Sequence, residues 1–256
     1  MSILKVNNLC YKNLFNNLNF SVDNNGFLSI SGANNCGKTT LIRILSKQIN
    51  NNFDIEVFDK NIMDYKIEEF SRAVQVVIPE EIRFYEKTLY EELSYYINNN
   101  SRLLDNIIKG LRLKKIIDKD QHTYTSNEIV LAQLAIALAN QPKLLLIDSI
   151  SLYFNNKELE YILSFLKECV EENNMTVIYT TINLEETIIS DRLYIINEGK
   201  FELEGKPIDI LQKDNIINKI GLNIPFMIDL SVKLRDYDLL DEIILDKDRM
   251  VDKLWN

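Results

Sequence analysis

The sequence predicts an α/β fold built on a mixed sheet, with an inserted helical segment and a helical extension at the C-terminus. Residues 144–147 are four consecutive aliphatics, a pattern typical of a parallel strand that is buried on both faces. Apolar residues at 27–30 lead through a glycine-containing loop into a helical pattern at 41–45. Between these strands, apolar positions recur at three and four residues over 87–97 and 103–117, which indicates the inserted helices.

The strands and helices are predicted in chain order from the same periodicities. Alternating polarity predicts strands at 3–6 and 15–22, with a turn at 23–26. The predicted elements that follow are a strand at 27–31, a helix at 40–49, strands at 54–58 and 73–78 around a short polar connection, the two inserted helices, a helix at 129–140, a strand at 143–148, a helix at 156–173, a strand at 176–181 and a hairpin at 193–196 and 200–204. From about Gly221 the chain has helical periodicity and is expected to pack or dock as an appendage.

Length, charge and cysteine content limit the functional classes. A chain of 256 residues with 46% hydrophobic content can bury a large core. The formal net charge of -9 argues against a nucleic-acid-binding surface. The three cysteines, Cys10, Cys36 and Cys169, are widely separated, which favours reduced thiols over disulfides or a zinc site. No apolar run approaches the ~18 residues that a membrane span needs, so we expect a soluble chain unless a partner holds it at a membrane.

Residues 32–39 carry the most specific chemical signal in the chain. They match the pattern G-x-x-x-x-G-K-[ST], a phosphate-binding loop whose backbone N–H groups and following helix attract phosphate. Gly32 and Gly37 permit the tight turn, and Asn35 tolerates left-handed backbone angles. The expected nucleotide-binding residues of this segment are Gly32, Ala33, Asn34, Asn35, Cys36, Gly37, Lys38, Thr39 and Thr40. The alternative is a surface turn with a chance lysine, which the flanking strand and helix disfavour.

Asp148 is the second candidate nucleotide element. It ends the apolar run of residues 144–147, 110 residues after Lys38, at the strand end where such sheets bind ligands. Its expected role is to hold Mg²⁺ together with Thr39. A carboxylate at a strand end is also common without a metal, so the assignment depends on the pairing with the loop.

These motifs resemble those of the ATP-binding cassette (ABC) ATPases, the motor subunits of ABC transporters, over residues 1 to about 210. The resemblance implies a P-loop ABC ATPase fold and the cofactors ATP and Mg²⁺, and it places Tyr11 against the adenine. It divides the chain into a nucleotide-binding domain at 1–220, with a helical subdomain at about 80–140, and an extension at 221–256. Further matching segments are Asp191-Arg192, Asn197-Glu198-Gly199-Lys200 and Glu204-Gly205-Lys206-Pro207.

The tail resembles the C-terminal extension of the energy-coupling-factor (ECF) subfamily. Two segments carry this resemblance: Gly221-Leu222-Asn223-Ile224-Pro225-Phe226 and Val251-Asp252-Lys253-Leu254-Trp255. That subfamily drives vitamin and metal-ion uptake. The resemblance implies three partners: a second ABC ATPase subunit, a transmembrane coupling subunit and a membrane substrate-binding subunit. The second ATPase subunit is either another copy of this chain or a paralogue, and the paralogue is favoured because two copies with altered motifs would scarcely hydrolyse ATP. It places the chain as a peripheral protein on the cytoplasmic face of the cell membrane. The transported substrate cannot be inferred from this chain.

The hydrolytic residues of the family are missing at the matching positions. Ser149 stands where the family has the glutamate that polarises the attacking water, and Ile182 stands at the position of the switch histidine. The glutamine that senses the γ-phosphate is absent from residues 76–79, and Asn155 replaces a loop aspartate. No catalytic residue of the family is therefore intact.

The family's signature motif, which clamps the partner's ATP, corresponds to residues 124–128. Its two glycines are Ser126 and Asn127, and Glu128 brings a negative charge toward a polyphosphate, so we expect a weak clamp. Thr125 keeps a hydroxyl where the family has serine.

Two interpretations follow. In one, the alignment is out of register and Gln75, Glu80, Glu81 or Glu185 substitutes for the missing groups. In the favoured one, the chain is an ATP-binding subunit of an ECF-type importer that binds Mg-ATP and hydrolyses it poorly, and that weakens both sites of an ABC dimer. A catalytically silent interaction or regulatory subunit of the same complex is the alternative, and a soluble P-loop enzyme such as a kinase is disfavoured because it leaves the tail unexplained.

Three weaker features complete the sequence analysis. His122, the one histidine of the sequence, is expected in an exposed loop, and Trp255 is expected to pack the tail. The segment Arg83-Phe84-Tyr85-Glu86 lies where the resemblance implies a groove for the transmembrane partner's coupling helix, with a solvated loop as the alternative.

Overall fold

The central feature of the fold is a mixed sheet, which confirms the predicted fold class. A computed structural model describes residues 2–79, 84–97 and 100–255, with Trp255 described by its backbone alone. In the described part of the chain this sheet has six strands, and only the pair at one edge is antiparallel. The strands across the sheet are β10 (Lys200–Gly205), β9 (Arg192–Asn197), β3 (Phe27–Ser31), β8 (Thr176–Thr181), β7 (Leu144–Asp148) and β6 (Val74–Val77).

Parallel pairing brings the carboxyl ends of the central strands to one edge of the sheet. In β3 and β8, Ser31 lies opposite Thr181, and in β7 and β8, Asp148 lies opposite Thr180. All five residues of β7 are buried, as its aliphatic run predicts. The phosphate loop therefore leaves the sheet at the edge where Asp148 ends β7.

A second, antiparallel sheet packs beside the first and corrects one prediction. Its strands in spatial order are β2 (Phe15–Asp23), β1 (Ser2–Tyr11), β4 (Asp54–Val57) and β5 (Lys60–Asn61). The predicted strands at 54–58 and 73–78 thus belong to different sheets. They are separated by a 3-10 turn, Ile62–Asp64, and by helix α2, Ile67–Ala73, in which only Phe70 is buried. A helix with one buried side chain has no repeating pattern of apolar residues, so the sequence does not indicate it.

Between β6 and β7, the described residues form three α-helices: α3 (Leu89–Ile97), α4 (Ser101–Gly110) and α5 (Ser126–Ala139). Their buried residues share one core cluster with β7, β8 and the long helix α6 (Asn156–Asn173). The predicted helix at 103–117 is wrong in extent, because α4 ends at Gly110. A Cβ on Gly110 would lie 2.1 Å from the Phe165 ring, and Arg112 then adopts a left-handed φ of 54°. The division into a subdomain at about 80–140 stays a prediction.

The remaining helices are α1 (Lys38–Leu45), α7 (Pro207–Leu211), α8 (Asp214–Ile220), α9 (Phe226–Asp236) and α10 (Lys247–Trp255). Helix α1 is shorter than the predicted 40–49, since Lys47 has a φ of 61°. In the tail, Leu222 and Ile228 join the core cluster that contains residues of β9 and β10. The extension thus packs on the sheet edge, and the domain boundary between 220 and 221 stays a prediction. Within the described ranges, none of the helices combines the length and the hydropathy that crossing a membrane requires.

Candidate functional site

The phosphate loop connects β3 to α1, as predicted. Lys38 is the first residue of α1, and Gly37 before it has a φ of 103°, which only glycine adopts without strain. Asn35 has a φ of 63°, so the predicted left-handed conformation of this asparagine is confirmed. The backbone therefore makes the tight turn that a phosphate-binding loop requires.

Close contacts explain why both ends of the loop are glycine. A Cβ on Gly32 would lie 2.6 Å from the Ile196 carbonyl oxygen of β9, and a Cβ on Gly37 would lie 2.9 Å from the Phe15 ring. The loop is thus pressed between β9 and the hairpin of β1 and β2. A side chain at either position would displace backbone or a buried ring.

The Lys38 side chain folds back over the loop. It is 8% exposed, and its Nζ donates to the carbonyl oxygens of Gly32, at 2.6 Å, and Ala33, at 3.0 Å. Cys36 contributes a longer contact, with its Sγ 3.7 Å from Nζ. A buried ammonium surrounded by neutral acceptors is a strong attraction for an anion that enters the loop.

The tip of the β1–β2 hairpin brings Tyr11 next to the phosphate loop. The Leu14 N–H donates to the Tyr11 carbonyl at 3.0 Å, which closes the turn, and Leu14 and Phe15 pack at Gly37. The Tyr11 ring is half-buried and meets Phe53 edge-on, with 6.0 Å between centroids. Tyr11 therefore lies in the hairpin tip that packs on the phosphate loop, and its role toward a nucleotide base stays a prediction.

Asp148 and Thr39 supply the hard oxygen atoms that Mg²⁺ prefers. Asp148 is 5% exposed, and its Oδ1 accepts a hydrogen bond from the Thr180 hydroxyl. Thr39 lies in the first turn of α1, which packs against β7. Across the described ranges, no group of three or more His, Cys, Asp or Glu could hold a metal ion. A magnesium ion here would depend on phosphate oxygens and water, which matches its usual coordination.

Ser149 and Ile182 are the two residues that the sequence analysis predicts at the positions of the base and of the switch histidine, and this assignment stays a prediction. Ser149 has a φ of 40°, and both its N–H, at 3.0 Å, and its hydroxyl, at 3.4 Å, point to the Thr180 carbonyl oxygen. Ile182 is 42% exposed at the end of β8. Neither side chain offers a carboxylate or an imidazole to a water molecule.

The turn that carries Ile182 is held by a buried polar cluster that the sequence did not predict. The Thr181 hydroxyl donates to Glu186 Oε2 at 2.7 Å, and the Tyr179 hydroxyl donates to the same oxygen. Burial, together with the Glu186 carboxylate, raises the pKa of Tyr179 well above its ordinary value. This cluster fixes the turn to β8 and leaves Ile182 outside it.

The structure also tests two of the proposed substitutes. Gln75 lies opposite Leu145 inside β6, and its side-chain amide donates back to the Ser71 carbonyl, so it faces α2 and not the strand ends. The Glu185 side chain lies at the surface. Partial desolvation and, to a smaller extent, repulsion from Glu160 of α6 raise the pKa of its carboxyl group. Glu80 and Glu81 lie outside the described residues, as does Arg83.

Segment 124–128 forms the start of α5, and its charge is already paired. Glu128 Oε2 accepts from the Thr125 N–H at 2.8 Å and from Lys119 Nζ at 2.7 Å. The hydrogen bond to Lys119 holds the pKa of Glu128 below its ordinary value. The Thr125 hydroxyl is also used, since it donates to Asn127 Oδ1 at 2.5 Å. The positive end of α5 is therefore capped from within the chain.

A Lys119→Met variant is expected to lose about 0.5 kcal/mol of stability at pH 7, because this ion pair is partly exposed. Glu128 has a lowered pKa in the folded chain, so its contribution is present above its ordinary value of 4.5 and is lost as the pH falls through the folded value. Urea unfolding at pH 7 and near pH 3 measures the difference, with the exposed Lys114→Met as the control. An equal loss at both pH values would contradict the assignment.

Asn155 and His122 have structural explanations. Asn155 Oδ1 accepts from the Glu158 N–H at 3.0 Å, so this residue caps α6. His122 is exposed in the 3-10 turn Gln121–Thr123, which confirms its predicted loop position. The side chain of Trp255 lies outside the described residues.

A phosphate loop closed by two glycines beside a buried strand-end aspartate is typical of P-loop nucleotide-binding proteins, and the helices between β6 and β7 fit the ATP-binding cassette class among them. A family model described as "ABC transporter" matches residues 15–151, which is more than half of the 256 residues. The chain belongs to this family, and the resemblance inferred from its motifs is confirmed.

Relatives and solved structures agree with this assignment. The energy-coupling factor transporter ATP-binding protein EcfA1 of Bacillus subtilis (strain 168) is 26% identical over 239 residues, which cover 90% of this chain and 85% of the relative. EcfA1 of Clostridioides difficile (strain 630) is 25% identical over an alignment of 278 positions, which covers 99% of this chain and 98% of the relative.

Two solved structures show the same fold. CbiO1 from Clostridium perfringens, described as part of the ABC transporter complex CbiONQ, has a TM-score of 0.73 at 22% identity and covers 90% of this chain and 98% of its own. The ATP-binding cassette MJ0796, described as a dimer bound to ADP and Pi, has a TM-score of 0.68 at 18% identity and covers 80% of this chain and 98% of its own.

Proposed function

We propose that this chain is the ATP-binding subunit of an ECF-type importer for vitamins or metal ions, peripheral to the cytoplasmic face of the membrane. It binds Mg-ATP at an interface with a second ABC ATPase subunit and has impaired hydrolysis. The observation that carries the proposal is the phosphate loop with the buried Lys38 ammonium directed into it. The names of the relatives support the ECF assignment.

Nucleotide binding uses residues that the fold brings to one edge of the sheet. The backbone of residues 32–40 and the Lys38 ammonium hold the phosphates, and Tyr11 stacks on the base. Thr39 and Asp148 are the residues that hold Mg²⁺, which neutralises phosphate charge when it is bound. Gly32 and Gly37 have no side chains, so the loop can pack against Ile196 and Phe15 while its backbone remains free to approach phosphate oxygens.

The proposal of impaired hydrolysis depends on Ser149 and Ile182, the residues that we predict next to the bound γ-phosphate. Water attack on the γ-phosphate needs a group that orients and polarises the water. Ser149 directs its hydroxyl to the Thr180 carbonyl, and Ile182 presents an aliphatic side chain. The chain therefore holds the nucleotide without the groups that would split it quickly.

The start of α5 argues for a paralogue as the second subunit. In ABC dimers each site combines the loop of one chain with the signature of the other. Here the Glu128 carboxylate already caps the helix end and pairs with Lys119, so the attraction for a partner's phosphates is reduced. Two copies of this chain would lack both the base and an open signature at each site, whereas with an intact paralogue each site would lack only one of the two.

A groove at the start of α3 supports a membrane partner. A cavity of about 320 Å³ is lined by Tyr85, Glu86, Glu92, Tyr95 and Tyr96. Tyr85 and Tyr95 are 81% and 78% exposed, and the Tyr95 ring meets the Tyr96 ring edge-on with 5.2 Å between centroids, so aromatic surface is clustered at this groove. Glu92 Oε2 accepts from the N–H groups of Tyr85, at 3.0 Å, and Glu86, at 2.8 Å, so it fixes the loop at this groove. Aromatic and acidic lining suits a helix with a basic side chain.

Purification of the tagged chain from detergent-solubilised native membranes tests the proposal. We expect an intact ABC ATPase and a membrane protein to co-purify, and a Tyr85→Ser/Tyr95→Ser variant to lose the membrane protein while it still binds Mg-ATP. Recovery of the chain without any membrane protein would contradict the importer assignment and would favour a soluble P-loop enzyme.

The second candidate is a catalytically silent interaction or regulatory subunit of the same complex, for which bound ATP is structural. The loss of the base at Ser149 favours it. The two candidates differ in turnover by the complex: if Lys38→Ala in this chain lowers ATP hydrolysis by the whole complex, the chain takes part in the motor. Unchanged hydrolysis would assign it the silent role.

A further inference from the structure

Lys12 lies at the tip of the β1–β2 hairpin, directly after Tyr11. Its backbone is left-handed, with a φ of 48°, and its side chain is exposed. This conformation turns the lysine back over its neighbour, so that Nζ lies over the Tyr11 ring, 5.2 Å from the centroid. The ammonium is therefore held at the aromatic ring that the proposed function places against the base.

The Tyr11 ring is partly covered by the core of the second sheet. It is half-buried, packs against the core cluster of the second sheet and meets the buried Phe53 edge-on. The Lys12 side chain is exposed, so its contact with the ring lies at the protein surface. An exposed cation–π contact of this kind is worth about 0.5–1 kcal/mol, so a stacking base can displace it.

A displaced ammonium on a flexible stem stays within reach of the edge of the base. Lysine only donates hydrogen bonds, so it favours edges that carry acceptors. A 6-oxo purine such as guanine or hypoxanthine offers O6 and N7 together, whereas adenine places an amino donor beside N7. The same lysine thus attracts one class of purine more than the other.

We propose that Lys12 is a specificity-determining residue that contacts the edge of a base stacked on Tyr11 and favours 6-oxo purine nucleotides relative to adenine nucleotides. The chain then takes GTP as well as ATP. This inference depends on the proposed nucleotide binding at residues 32–40 and adds the class of base that the site accepts.

The test measures the dissociation constants of Mg-ATP, Mg-GTP and Mg-ITP by calorimetry for the full chain and for Lys12→Met, which keeps the length of the side chain and removes its charge. We expect Lys12→Met to weaken GTP and ITP by about 5-fold relative to ATP, the size of one exposed charge-assisted contact. ITP lacks the 2-amino group of GTP and isolates the contribution of O6 and N7. The exposed Lys157→Met is the matched control and should leave all three constants unchanged.

An unchanged ratio of GTP to ATP affinity in Lys12→Met would overturn the inference, as would an equal shift for all three nucleotides, which would mean that Lys12 only covers the ring. If the unmodified chain binds ATP in a manner that Lys38→Ala abolishes, such a result leaves the proposed function standing. Failure of the unmodified chain to bind any of the three nucleotides would overturn both proposals.

Discussion

Replacing Lys38 with alanine is expected to weaken Mg-ATP binding by about 100-fold, or roughly 3 kcal/mol. The Lys38 ammonium is buried, and its present partners are two carbonyl oxygens of the loop, at 2.6 and 3.0 Å. A phosphate oxygen in their place would make a charge-assisted hydrogen bond away from bulk water, where such bonds are strongest. Calorimetric titration with Mg-ATP measures the change.

Lys157→Ala is the matched control for this experiment. Lys157 is exposed at the start of α6, so its loss changes the net charge equally without touching the loop. Affinity that falls equally in both variants would show that Lys38 acts only through net charge, and the assignment of the loop would then be wrong.

Replacing Gly32 with alanine is expected to cost about 3 kcal/mol of stability and to abolish nucleotide binding. The added Cβ would lie 2.6 Å from the Ile196 carbonyl oxygen and 2.7 Å from Cys36 Sγ. The first of these atoms belongs to the backbone of β9, which is held in the central sheet and cannot move without disturbing its pairing. Urea unfolding gives the loss of stability, and calorimetry gives the loss of binding.

Gly26→Ala separates this contact from the general effect of a glycine replacement. A Cβ on Gly26 would meet its nearest atoms at 3.8 Å, which is ordinary van der Waals contact. We expect that variant to unfold within about 0.5 kcal/mol of the unmodified chain. If the two variants unfold alike, the packing of the loop against β9 does not limit what residue 32 can be.

The sequence predicted correctly those elements whose structure depends on residues close together in the chain. Helix Asn156–Asn173 and strand Thr176–Thr181 have the predicted bounds, because the helix has buried positions at helical spacing and the strand is a short run of β-branched and aromatic residues. The left-handed Asn35 was also predictable, since asparagine is the residue besides glycine that tolerates it best.

The failures concern contacts between residues that are distant in sequence. The end of α4 at Gly110 is set by the Phe165 ring, 55 residues later in the chain, and no local pattern shows that contact. The assignment of β4 and β6 to different sheets depends on which strands pair, which short apolar runs do not specify.

In the candidate site, too, local features were predictable and contacts between distant residues were not. Its phosphate loop was predictable because the motif encodes both the geometry and the charge. The capping of α5 by Glu128 and Lys119 and the cluster of Tyr179, Thr181 and Glu186 were not predicted, since each needs the folded arrangement to bring its members together. Both bear on the proposed function, because they hold the segments in which we predict that the family's catalytic residues are replaced.

The central claim is that this chain binds Mg-ATP and does not split it efficiently. The most direct measurement is to incubate the purified chain with γ-labelled Mg-ATP, isolate the nucleotide that it retains and determine whether it is ATP or ADP. We expect retained ATP that remains intact over many minutes and that Lys38→Ala does not retain. Retained ADP, with labelled phosphate released by the unmodified chain and not by Lys38→Ala, would contradict the account.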